Sequence, residues 1–234
     1  MAAFLILFDG IMVDEFLFRL KRRLKGMNKV GNKILSEKEK RRLERFEKIS
    51  GDMEQQGYVR QNLTINITKA NVLSLLLMAI TFVTGCLFYY VVNHRVDFAD
   101  FNAVSFLICF IVLVVIHEMI HGACWVAFSP GRFKDIEFGI MKPSFCPYCT
   151  CLVPLKKWQY IVGVLMPGFV LGVIPFVFSI LLAKPFALFM ASAMIAIAAG
   201  DLMIFGKIAR YNSKEKEVVY IDHPTDAGGV IFER

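Results

Sequence analysis

The sequence predicts an all-α polytopic membrane protein of about four transmembrane helices, with a cytosolic N-terminal helical arm and small cytosolic β-hairpin elements. Three observations carry that reading. Of 234 residues, 56% are hydrophobic, and the mean hydropathy is +0.55, a membrane-protein composition with a small polar remainder. Four apolar stretches, at 72–92, 101–128, 160–183 and 185–205, reach the roughly 20 residues that cross a bilayer. Twenty-five of the 27 Lys/Arg lie before the first stretch, between the second and third, or after the fourth; the other two loops hold only Arg95 and Lys184. By the positive-inside rule both termini and the middle loop face the cytosol.

The segment 1–69 reads as a basic cytosolic arm. Met1–Phe8 is apolar but short and has no basic residue ahead of it, unlike a cleavable signal peptide. It reads as an interfacial helix with Phe16, Leu17 and Leu20, or as a product of start-codon choice, with Met12 and Met27 as other starts. Ser36-Glu37-Lys38-Glu39 matches a capping box that opens a charged helix to about Ile49. Leu43 and Phe46 give that helix only a thin apolar stripe, so we expect a solvated or membrane-surface helix. Leu63–Thr68 alternates with period two, as a strand does.

The segment 70–210 is the membrane domain. Its third span carries Pro167 and Pro175 and should be kinked or broken; neighbouring helices can satisfy the freed backbone groups. The loop 129–159 holds strand-like pieces at Asp135–Ile140 and Thr150–Val153, which suggest a hairpin. Cys146, Cys149 and Cys151 fall in that loop. A closed structural zinc site needs four ligands and no fourth is adjacent, so reduced thiols are the expectation in a cytosolic loop. The tail 211–234 reads as two strands, Glu217–Ile221 and Gly229–Phe232, joined by a turn through Asp222-His223-Pro224. The net charge of +7 follows from the basic cytosolic side and suits an anionic lipid bilayer; nucleic acid is not an expected partner.

The chemistry centres on His117-Glu118-Met119-Ile120-His121 in the second span. On a helix, residues i and i+4 share a face about one turn apart, so two imidazoles can grip one Zn²⁺. Among the four spans, the ionisable Asp, Glu, His, Lys and Arg side chains are His117, Glu118, His121 and, in the fourth span, Asp201. Such groups are costly in a bilayer and are functional candidates. Spans two and four run the same way. At about 1.5 Å per residue, His121 and Asp201 both sit roughly 10 Å from the cytosolic ends. Two His and one carboxylate with an open fourth position form a catalytic zinc arrangement. His117, His121 and Asp201 would hold the metal. Glu118 points about 100° around the helix from His117 and would act as general base on a zinc-activated water.

These residues resemble a known family. The H-E-M-I-H-G helix, the P-Y-C-T-C loop, Met166-Pro167-Gly168, Ala199-Gly200-Asp201-Leu202 and Asp222-His223-Pro224 are similar to bacterial membrane proteins of a domain of unknown function, described as "putative zincin peptidase". The resemblance runs from about Ala70 to Phe232. It extends, more distantly, to site-2-type intramembrane zinc metalloproteases. It implies a zinc peptidase of the bacterial cytoplasmic membrane, with His117, His121 and Asp201 as ligands and Glu118 as acid/base. The expected substrate is a membrane-associated polypeptide, and the oligomeric state is left open. The alternative is a non-catalytic metal-binding or sensing protein using the same site. A transporter fits less well, since the spans show no repeated halves.

Overall fold

The computed structural model describes residues 36–95, 101–141 and 146–234, and the Met1–Phe8 segment lies outside them. The chain divides into two compact units, Met1–Arg41 and Arg42–Arg234. Of the first, the described part is the start of helix α1 (Glu37–Gln55) and its cap. The Ser36 hydroxyl accepts from the Glu39 amide at 3.3 Å, and the Ser36 amide donates to the Glu39 carboxylate at 2.8 Å. The expected capping box is therefore formed.

In the second unit α1 is neither free nor merely solvated. Phe46 is 3% exposed and packs on Ile221, Val230 and Phe232. The stripe is thin, but one aromatic suffices because residues near the other end of the sequence supply its partners. Those partners sit on a four-stranded antiparallel sheet of β1 (Val59–Thr64), β4 (Leu155–Lys156), β5 (Val218–Asp222) and β6 (Gly228–Glu233), in the order β1-β6-β5-β4. Both tail strands occur close to where the alternation puts them. The strand read at Leu63–Thr68 lies earlier, at Val59–Thr64. Asn66 is instead the N-cap of the first long helix, its side chain accepting from the Lys69 amide at 3.0 Å. That cap outcompetes the strand propensity of Ile65 and Ile67.

Three helical segments are long and apolar enough to cross a membrane: α2 (Ile67–Asn93), α3 (Ala103–Val126) and the stretch Lys157–Leu181. The third is made of α4 (Lys157–Gly168), a π-helical turn (Phe169–Val173) and α5 (Ile174–Leu181). The expected irregularity is thus a π-bulge. Pro175 has no N–H to give the preceding turn, and the Ile174 amide reaches back five residues to the Phe169 carbonyl. The stretch read as the fourth span differs from the single helix expected. It is a bent pair, α6 (Pro185–Ile197) and α7 (Ala199–Arg210), with a 46° change of direction. Ala198 lies at the bend, so Asp201 falls in the first turn of a new helix.

The loop after α3 passes through a short 3₁₀ turn (Arg132–Asp135) into an antiparallel hairpin, β2 (Ile136–Met141) and β3 (Cys146–Cys151). The hairpin lies against α3. A Cβ on Gly122 would stand 2.4 Å from the Phe138 ring, so the strand seats only where the helix has no side chain. Many large apolar residues on α2 and α3 remain exposed in the isolated chain, including Leu75, Val83, Leu107 and Ile111, as expected of lipid-facing surfaces.

Candidate metal centre

Helix α3 brings His117 and His121 to one face, 2% and 5% exposed. The bend in the fourth span delivers Asp201 to the same point. Asp201 Oδ2 lies 3.1 Å from His117 Nε2 and 3.6 Å from His121 Nε2, and the two Nε2 atoms are 3.2 Å apart. Zinc bonds of about 2.0–2.1 Å in a tetrahedron give ligand-to-ligand edges of about 3.3 Å. The triangle of these three atoms fits such an ion. The position of Asp201 also suits a carboxylate, because the first turn of α7 presents unpaired amide groups and a partial positive charge.

The orientation of His121 is fixed from behind. Its Nδ1 lies 2.8 Å from the Gly163 carbonyl of α4. An Nδ1–H donated there leaves Nε2 with its lone pair toward Asp201 and His117, the support expected behind a metal-binding imidazole. The contact depends on a close approach of α3 and α4. A Cβ on Gly163 would lie 1.8 Å from Trp125 Nε1. Trp125 in turn stacks on His121, with centroids 5.4 Å apart and planes at 18°, and on Tyr160 at 5.7 Å and 24°. His117 Nδ1 is buried with no hydrogen-bond partner among the described residues.

Glu118 borders the same centre. It offers a carboxylate oxygen that, with one nitrogen from each His, forms a group of atoms all within 4.8 Å of one another. Two carboxylates therefore compete for the third place. The Asp201 distances match a tetrahedral edge, whereas the Glu118 group is looser. Glu118 also has another engagement, since the Cys149 backbone amide of β3 faces its carboxylate. All four residues read from the sequence thus come together, His117, His121 and Asp201 in a tight triangle and Glu118 at its border.

Among the described residues, the thiols of Cys149 and Cys151 take no part in this group. Cys149 and Cys151 are free cysteines. Burial, then the nearby Asp222 carboxylate, pushes the Cys149 thiol far above the ordinary range and that of Cys151 up to about 12. Both therefore stay protonated and poorly nucleophilic at neutral pH. The expectation of reduced thiols in a hairpin holds for these two; the Cys146 side chain lies outside what is described. His223 is a turn residue as read, its Nδ1 accepting from the Thr225 and Asp226 amides at 3.3 and 2.9 Å.

Residues 110–215 match the family model described as "putative zincin peptidase". The family resemblance drawn from the residues is supported by that match. The matched segment contains the H-E-x-x-H motif, the hairpin, the π-bulge and Gly200-Asp201. It ends before Asp222. No curated protein and no solved structure matches the chain.

Sequence reasoning missed the residues that support this centre. Gly163 and Trp125 carry no signal in one sequence, because a glycine in an apolar helix and a tryptophan near its end are ordinary. Asp222 was read as part of a turn. It is a part-buried carboxylate that receives the Cys151 amide at 2.7 Å and the Tyr160 hydroxyl. In the sequence it stands directly after a strand-like run and in the Asp222-His223-Pro224 motif, neither of which records what its carboxylate binds.

Proposed function

We propose that this chain is a membrane-embedded zinc metallopeptidase that hydrolyses peptide bonds of membrane-associated polypeptides. The observation that carries the reading is the triangle of His117 Nε2, His121 Nε2 and Asp201 Oδ2, with edges of 3.1 to 3.6 Å. Two buried imidazole nitrogens and a part-buried carboxylate oxygen brought this close are costly to leave unanswered, and a shared cation answers all three at once. These residues would hold zinc, which when bound polarises a water and a carbonyl oxygen. Glu118, one position along the helix from His117, takes the proton from the attacking water and returns it to the leaving amine. The Cys149 amide lies beside that carboxylate.

The substrate-binding side of this reading is the β2–β3 hairpin. Its strands pair with each other in a two-stranded sheet, and among the described residues their outer edges have no strand partner. Addition of an extended polypeptide to such an edge is how the hairpin would present a substrate. The distant likeness to site-2-type proteases and the cytosolic side for both termini and the site belong to the same proposal. The charge asymmetry of the loops supports that side. Reporter fusions after Lys214 and within the loop that holds Arg95 test it: the first should be cytosolic and the second external.

Glu118→Gln in the full-length protein separates enzyme from metal sensor. The enzyme reading expects zinc retained and proteolysis lost. Proteolysis retained removes Glu118 as the base. Zinc lost together with activity makes Glu118 a ligand, and the roles of the two carboxylates exchange.

A further inference from the structure

Asp222 stands apart from the residues that face the metal triangle, yet three elements converge on its carboxylate. It ends β5. One oxygen receives the backbone amide of Cys151, the last residue of β3, at 2.7 Å. The other receives the hydroxyl of Tyr160, from α4. Cys151 and Tyr160 are each 0% exposed. A part-buried carboxylate with both oxygens engaged by buried partners is a strong fastening, because hydrogen bonds to a charged acceptor are about twice as strong as neutral ones. It is specific too, since either partner left alone would be a buried donor without an acceptor.

What Asp222 fastens is the base of the hairpin. Cys149 is two residues before Cys151 on the same strand. Its side chain shares a face with that of Cys151, and its amide faces Glu118. At the other end of the fastening, Tyr160 stacks on Trp125, and Trp125 on His121. Resting on the peptidase reading, we propose that Asp222 is a positioning residue for hydrolysis: by clasping the Cys151 amide and the Tyr160 hydroxyl it seats β3 against Glu118. It touches neither metal nor substrate. The work is done by hydrogen-bond geometry, so it needs acceptor oxygens at that point and not a proton-transferring acid.

The chemistry of Asn makes the role testable. In Asp222→Asn the side-chain oxygen can still accept from the Cys151 amide, while the amide nitrogen donates to the Tyr160 oxygen, because a phenol both donates and accepts. Asp222→Ala removes both. Full-length protein in detergent is loaded with Co²⁺, and the alkylation of individual cysteines by N-ethylmaleimide is followed by mass spectrometry. In Asp222→Ala, alkylation of Cys149 and Cys151 should rise about tenfold or more. Cys124 on α3 should be unchanged, and the Co²⁺ absorption bands should match those of wild type. In Asp222→Asn both thiols should stay within about threefold of wild type. Proteolysis of a mixture of dye-labelled transmembrane peptides should fall in kcat for Asp222→Ala and stay near wild type for Asp222→Asn.

Unchanged alkylation of Cys149 in Asp222→Ala overturns the proposal. So does loss of activity in Asp222→Asn with the thiols still protected, since that marks a proton-carrying role. If Asp222→Ala does not fold, Tyr160→Phe takes its place. It removes one of the two clasps, and unchanged protection of Cys149 and Cys151 there also overturns the idea. Absent Co²⁺ bands in wild type would count against the metal site and not against the fastening, which the alkylation arm reads by itself.

Discussion

Asp201 Oδ2 lies 3.1 Å from His117 Nε2, although the two residues are 84 positions apart in sequence. The contact joins the first turn of α7 to the middle of α3. It exists because the fourth span bends by 46° at Ala198 and begins a new helix two residues before Asp201 is reached. A straight helix would offer Asp201 only a closed ladder of hydrogen bonds. The bend puts it in the first turn of a helix, where the helix dipole favours a carboxylate, and beside two imidazoles.

The first prediction concerns the base. Glu118→Gln should lower kcat by roughly 10²–10⁴-fold, the usual contribution of a positioned acid/base. Zinc measured by mass spectrometry should stay at the wild-type level. Single-turnover cleavage of a labelled peptide beside metal analysis of the same preparation checks both halves.

Gly163 should tolerate no side chain. In Gly163→Ala the new methyl group would meet Trp125 Nε1 at 1.8 Å, so α3 and α4 must separate or Trp125 must leave its place. Overpacking of this kind costs about 1–3 kcal/mol. Because the Gly163 carbonyl faces His121 Nδ1, zinc affinity should weaken along with the melting temperature. A competition titration with a chelator reads the affinity, and near-wild-type values in both measurements would contradict the proposed close approach.

Phe46→Ala tests the packing of α1 on the sheet. Phe46 is 3% exposed among Ile221, Val230 and Phe232, and truncating a buried Phe costs about 3–5 kcal/mol. Melting in detergent should drop accordingly. The metal triangle shares no contact with this cluster, so zinc content should hold in the folded fraction.

His223 predicts an acid-side loss of stability. Burial, opposed by Asp226 and reinforced by Arg60 and Arg42, holds its pKa below the ordinary value. Its Nδ1 accepts two backbone amides, which a proton on that atom would displace. The folded state therefore binds the proton less readily than the unfolded state, so stability rises with pH across this window. The preference is complete above about 6.5, the unfolded value, and is lost as pH falls through the lower folded value. Denaturant unfolding between pH 5 and 7.5 should show this slope, and His223→Asn, whose side-chain oxygen can accept from the same turn, should flatten it.

The sequence made the centre legible because its signal is a cost. An ionisable group in an apolar stretch has few explanations, so counting such groups found Asp201 without any contact information. Spans α2 and α3 were read within a few residues of their ends for a similar reason, since long apolar runs leave no competing choice. The bend at Ala198 gave no such signal. Its surroundings, Ala196-Ile197-Ala198-Ala199-Gly200, fit a continuous helix as well as a broken one, and packing decides. Strand β1 was placed too late because Asn66 reads equally as a strand residue and as a cap. Asp222 was passed over because its meaning lies 62 positions away in Tyr160 and 71 away in Cys151, and no local pattern records that.

The central claim is that His117, His121 and Asp201 hold one zinc ion. The most direct measurement is the metal content of detergent-purified full-length protein, wild type beside His117→Ala and Asp201→Ala. The account predicts close to one zinc per chain in wild type and near-complete loss in both variants, with each still folded by circular dichroism. Zinc retained in folded Asp201→Ala, or absent from folded wild type supplied with zinc, would contradict it.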